Sequence, residues 1–80
     1  MRMHYSQEIN ILVCGLGEQG SALRRAIESL KQNPVPDWAI EVEERPGRYE
    51  WLVAGYWLVY EIDSSNSSET VIRIITAEAM

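Results

Sequence analysis

The stretch Pro46-Gly47-Arg48-Tyr49-Glu50-Trp51-Leu52-Val53-Ala54-Gly55-Tyr56-Trp57-Leu58-Val59-Tyr60-Glu61-Ile62-Asp63 decides the fold. It is rich in aromatic and β-branched residues. Turn formers stand at its start (Pro46-Gly47), its middle (Ala54-Gly55) and its end (Asp63-Ser64-Ser65-Asn66). That pattern predicts a β-hairpin, with strands at about Tyr49–Val53 and Tyr56–Ile62. The second strand is apolar or aromatic at nearly every position, so both its faces are expected to be covered, as at the centre of a sheet.

Downstream, the polar run Asp63-Ser64-Ser65-Asn66-Ser67-Ser68-Glu69 predicts a solvated turn, followed by a strand over Thr70–Thr76. Upstream, Trp38 to Glu44 alternates weakly, with Trp38, Ile40 and Val42 against Ala39, Glu41 and Glu43, which predicts an extended edge segment. Pro34-Val35-Pro36-Asp37 is a stiff connector before it. Two helices precede the connector. Ser6 is placed to cap the first, with Glu8 in its first turn, and Ile9, Leu12, Val13 and Leu16 fall on one helical face. The second is expected from Glu18 to about Gln32, with Leu23, Ala26, Ile27 and Leu30 inward. Asn33-Pro34 stops it, because the residue before a proline is pushed out of helical geometry. Met3–Tyr5 supplies a short first strand. The expected plan is a single α+β domain over residues 1–80, with two N-terminal helices packed on a small antiparallel sheet.

The totals set limits. Eighty residues with 46% hydrophobic and 24% charged composition make one globular domain. The single cysteine, Cys14, forms no internal disulfide, which suits a reducing cytoplasm, and no apolar run reaches the ~18 residues of a membrane span. Twelve acids against seven bases give a net charge of −5. Direct binding to a phosphate backbone is therefore not expected, since that affinity comes from Lys and Arg displacing counterions.

Several groups invite a chemical reading. Gly15-Leu16-Gly17-Glu18-Gln19-Gly20 fits G-x-G-x-x-G, and Glu43 lies roughly 20 residues further on, where a ribose-binding acid would sit. Gly15, Gly17 and Gly20 are thus candidate dinucleotide-binding residues. A dinucleotide fold needs further βα units, however, and after Val42 the chain supplies a meander, so an inter-helix turn that needs glycine is the better account and no cofactor is expected. One His (His4) and one Cys make no zinc site, and no metal is expected. His4 is expected at the surface and Cys14 as a small core residue. The acids Glu41, Glu43 and Glu44 read as a solvated edge or a partner-docking patch, and Tyr49, Tyr56 and Tyr60 as packing residues.

The order of helix, helix, proline elbow, hairpin and final strand resembles the RelE/ParE toxin superfamily of toxin–antitoxin modules. Ser6-Gln7-Glu8 is similar to the family's S-P-E opening of the first helix. Leu30-Lys31-Gln32-Asn33-Pro34-Val35-Pro36 is similar to its N-P-x-P helix exit. Pro46-Gly47-Arg48-Tyr49, Val53, Gly55, Tyr56 and Val59-Tyr60-Glu61-Ile62-Asp63 resemble its hairpin, and Val71-Ile72-Arg73-Ile74 its last strand. The resemblance implies a cytoplasmic bacterial protein, an α+β fold and a cognate antitoxin as partner, with plasmid stabilisation as a usual setting. The ribosome is the target in the ribonuclease branch and DNA gyrase in the ParE branch, which inhibits by binding.

The chain departs from the family where catalysis would sit. The family's hairpin arginines fall on Glu50, Leu52 and Trp57, its basic pair after the last strand near Thr76-Ala77, and its lysine-rich stretch on Ile40 to Glu44. The tail reads Glu78-Ala79-Met80. A site that cuts RNA must stabilise negative charge developing on a phosphate, and this face offers acids and hydrocarbon. The expected function is therefore protein binding. An mRNA endoribonuclease using Arg45, Arg48, Arg73 and Tyr49 is the alternative, and a dinucleotide-binding module a third class. Alternation along the two hairpin strands puts Glu50, Leu52, Trp57, Val59 and Glu61 on one face, expected to point away from the helices and to bind an antitoxin or a second copy of the chain. The competing expectation is that Trp38 or the tail covers that face.

Overall fold

The structure is a computed structural model that describes residues 2–64 and 69–79. Its elements are β1 (Arg2–Tyr5), α1 (Gln7–Gly15), α2 (Glu18–Ser29), β2 (Ile40–Glu41), β3 (Arg48–Val53), β4 (Tyr56–Asp63) and β5 (Val71–Ala79). The strands form one sheet in the order β1-β5-β4-β3-β2, so the architecture is α+β. The all-antiparallel expectation is corrected at one pairing: β1 runs parallel to β5, from Arg2 opposite Val71 to Tyr5 opposite Ile74. A parallel neighbour needs a long crossover, and here the helices and the meander between β1 and β5 provide it. The other three pairings are antiparallel.

Ser6 caps α1 as its sequence position predicts. Its Oγ accepts from the Ile9 N–H at 3.2 Å and donates to the Ile75 carbonyl at 3.2 Å, tying the helix start to β5. Ile75 is the extra residue of a bulge, since Val59 lies opposite Thr76 while Tyr60 lies opposite Ile74. Ile9 is buried, and Leu12, Val13 and Leu16 pack against the core. Cys14 is exposed, contrary to the expectation of a core position. Five residues beyond Ile9, it lies off the i, i+3, i+4, i+7 stripe that faces inward.

The two helices meet closely. A Cβ on Gly20 would collide with the Val13 carbonyl oxygen, so this position requires glycine. α2 buries Leu23, Ile27 and, at its C-cap, Leu30. It ends at Ser29 rather than Gln32. The N–H groups of Leu30, Lys31 and Gln32 reach back three residues, to Ile27, Glu28 and Ser29, each at 3.1 Å. The chain tightens into this 3₁₀-type turn before Pro34 bars the helix.

β4 is the central strand, as its two apolar faces predict. It is joined to β3 by the two-residue turn Ala54-Gly55, both at positive φ (55° and 80°), as a type I′ turn requires. The helix-facing side of the sheet is built from Trp51, Tyr56, Leu58, Tyr60, Ile72, Ile74 and Ala77, which form one core with the helix residues. The Tyr60 hydroxyl donates to the Pro34 carbonyl at 2.7 Å and so fastens the proline elbow to the central strand.

Two further boundaries differ from expectation. The edge segment pairs with β3 as a strand only at Ile40 and Glu41, because Glu41 turns its carboxylate to the Gly47 N–H (3.1 Å) and the chain coils through 42–47. β5 runs on to Ala79 instead of ending at Thr76, since β4 is long enough to pair with it up to Tyr56. Of the polar turn 63–69, positions 65–68 lie outside the described residues.

Candidate protein-docking face

The strand registers fix which side chains share the outer face. Leu52 stands opposite Trp57, Glu50 opposite Val59 and Arg48 opposite Glu61. On the other flank of β4, Glu78 is opposite Trp57, Thr76 opposite Val59 and Arg73 opposite Glu61. On the free side of β3, Ile40 is opposite Glu50. The expected set Glu50, Leu52, Trp57, Val59 and Glu61 therefore does lie on one face, away from the helices.

These five positions are not equivalent. Leu52 is 58% exposed and Trp57 half-buried, whereas Val59, on the sheet's midline, retains only 8% of its surface. Glu61 is engaged by two arginines, with Arg45 Nε at 3.3 Å from one oxygen and Arg48 Nη2 at 3.4 Å from the other. The accessible part of the face lies toward β2. There Trp38, Ile40, Glu50, Leu52 and Trp57 line a groove of about 430 Å³. Trp38 is 81% exposed and Ile40 69%. Trp38 forms a wall of this groove and does not cover it. Residues 71–79 do not cover it either, because they lie in the sheet as β5.

Trp38 and Ile40 are the residues that the hairpin pattern alone misses. Their signal was the weak alternation of Trp38, Ile40 and Val42, which marks one face of an extended segment. The groove's content is that of a protein interface: an aromatic and aliphatic centre with a charged group at its edge. Ile40 and Leu52 add aliphatic area beside two indoles, and large exposed apolar clusters on a small domain mark contact sites.

The residues of the ribonuclease alternative are not brought together. Arg45, Arg48 and Arg73 are on or beside the outer face, but each is held by a carboxylate, Arg73 Nη1 by Asp63 Oδ2 at 2.8 Å. Tyr49 is on the helix-facing side, stacked on Tyr60 with ring centroids 5.5 Å apart and planes 15° from parallel. Burial, then the neighbouring Tyr49, pushes the Tyr60 hydroxyl well above its ordinary pKa. Burial likewise raises Tyr5, with Glu28 adding to the shift and Arg24 opposing it. The phenols are thus held in their protonated form.

Of the three glycines only Gly17 lies in the turn between the helices; Gly15 is the last residue of α1, and Gly20 lies in the first turns of α2, at its close approach to Val13. In a dinucleotide fingerprint the residues before the first glycine are a strand; here they are helix α1, so the strand–turn–helix geometry that cradles a pyrophosphate is not built. Gly17 sits at φ 61°, the conformation that reverses the chain between helices. The acids Glu41, Glu43 and Glu44 are exposed, and Glu41 caps the following turn. Among the described residues no three His, Cys, Asp or Glu gather to hold a metal, and no helix is long and apolar enough to cross a membrane. No family model, no curated protein and no solved structure matches this chain.

Proposed function

We propose that this chain is a RelE/ParE-like toxin-family protein of a toxin–antitoxin module that acts in the cytoplasm by binding protein. The observation that carries the reading is the groove lined by Trp38, Ile40, Leu52 and Trp57 on the face where the family's ribonucleases keep their basic residues. The element order supports it too: two helices, a proline elbow, a hairpin and a last strand, in the sequence that the resemblance implies. Its partner is a cognate antitoxin encoded beside it. Inhibition of a target such as DNA gyrase by binding suits this face better than ribosome-dependent RNA cleavage, because all three outer arginines are engaged by acids.

The experiment is expression of the chain alone and together with the protein of the adjacent reading frame, followed by purification. The reading expects a stable complex and no cleavage of mRNA on ribosomes. Position-specific cleavage that disappears in Arg48→Ala or Arg73→Ala overturns it and establishes the ribonuclease instead.

A further inference from the structure

The outer groove carries charge as well as hydrocarbon. Glu50 lines it, half-buried, between Ile40 on one side and Val59 on the other. Glu78 stands directly across from Trp57, and Asp37 precedes Trp38. Among the described residues none of these three acids forms a salt bridge; the ion pairs of this face are Arg45 and Arg48 with Glu61 and Arg73 with Asp63. The face is thus divided. One end is neutralised internally, and the groove end presents the Glu50 carboxylate between exposed Trp38 and half-buried Trp57.

Resting on the protein-binding reading above, we propose that the groove takes a basic, apolar peptide segment of a partner protein, with an arginine of that segment paired to Glu50. The argument is charge complementarity. A half-buried carboxylate beside apolar side chains is costly to bury further unless a cation meets it. Guanidinium fits best, because it pairs with a carboxylate through two parallel bonds and stacks on aromatic rings such as Trp38 and Trp57. An acidic segment meets repulsion from Glu50, Glu78 and Asp37. A second copy of this chain, docked groove to groove, sets the same acids against each other, and like charges at an interface select against that pairing.

The test uses the full chain and two synthetic amphipathic helical peptides, one of leucine, alanine and arginine and its twin with glutamate in place of every arginine. Binding is followed through tryptophan fluorescence. The arginine peptide is expected to bind wild type and to lose about tenfold in affinity to Glu50→Gln, the scale of one charge-assisted hydrogen bond. Leu52→Lys, which places a cation in the groove, should weaken it at least as much. Glu28→Gln, the same charge change on the exposed side of α2, should leave it unaltered. Equal weakening by Glu28→Gln and Glu50→Gln means attraction to net charge and overturns the proposal. So does binding of the glutamate twin as tightly as the arginine peptide, or binding of neither. In those cases purification with the adjacent-frame protein still decides the protein-binding reading on its own.

Discussion

On the helix-facing side of the β3–β4 hairpin, Trp51, Tyr56, Leu58 and Tyr60 are buried against Ile9, Leu23, Ile27 and Leu30. On the other side, Leu52 and Trp57 stand beside exposed Trp38 and Ile40, and a groove runs between them. The two faces draw on similar residue types. What separates them is how their polar atoms are satisfied. Inside, the Tyr60 hydroxyl has the Pro34 carbonyl and its ring has Tyr49. Outside, the arginines have Glu61 and Asp63, while Glu50 and Glu78 have no salt-bridge partner among the described residues. An inner face with its hydroxyl paired reads as core. An outer face with carboxylates left over beside hydrocarbon is the observation on which the proposed protein-binding role rests.

This contrast is broken most easily at its strongest point. Leu58→Ala, on the inner face, should cost about 2–5 kcal/mol of stability, and Leu52→Ala, on the next strand but the outer face, less than about 0.5 kcal/mol. Chemical denaturation of both variants measures it; equal losses would mean that Leu52 is core and that the outer groove is closed in solution.

Tyr60→Phe sharpens the inner side. Losing the hydrogen bond to Pro34 should cost about 1 kcal/mol at neutral pH. The folded-state pKa of Tyr60 lies above the ordinary 10.0, so the unfolded chain ionises first. The associated stability is complete below pH 10 and declines as pH rises through the folded value. Tyr60→Phe should make the alkaline loss shallower without abolishing it, because Tyr5 is shifted the same way. A denaturation series from neutral pH upward shows the slope.

The smallest effect belongs to the outer ion pairs. Arg73→Ala should change stability by about 0–1 kcal/mol, since Arg73 is exposed and Asp63 partly exposed, so solvent screens the pair. That difference should shrink in high salt. A larger, salt-independent loss would mean that the outer face is a second core.

Much of the fold was legible because local signals agreed. Ser6 as a cap, the apolar stripes of both helices, Pro34 as a stop and the Ala54-Gly55 turn each act over a few residues, and each appears in the structure. The parallel pairing of β1 with β5 was not legible, because nothing in Arg2–Tyr5 states which partner it will meet across the whole chain. Cys14 was misread because its neighbours are apolar, although its helical phase turns it outward. The alternation that places Glu50, Leu52 and Trp57 on one face was legible in the hairpin. The share of that face left open was not. It depends on Val59 being flanked on both sides, on Glu61 being claimed by Arg45 and Arg48, and on an edge segment whose pairing stops at two residues and leaves Trp38 and Ile40 as a wall.

The central claim is that Trp57 is an anchor for a partner and not a core residue. The most direct measurement is Trp57→Ala beside Trp38→Ala, with affinity for the adjacent-frame protein and Tm recorded for each. The account predicts that Trp57→Ala lowers affinity by about thirtyfold, the equivalent of ~2 kcal/mol at an interface anchor, while Tm stays close to wild type. A sharp fall in Tm with affinity unchanged contradicts it and makes Trp57 part of the core.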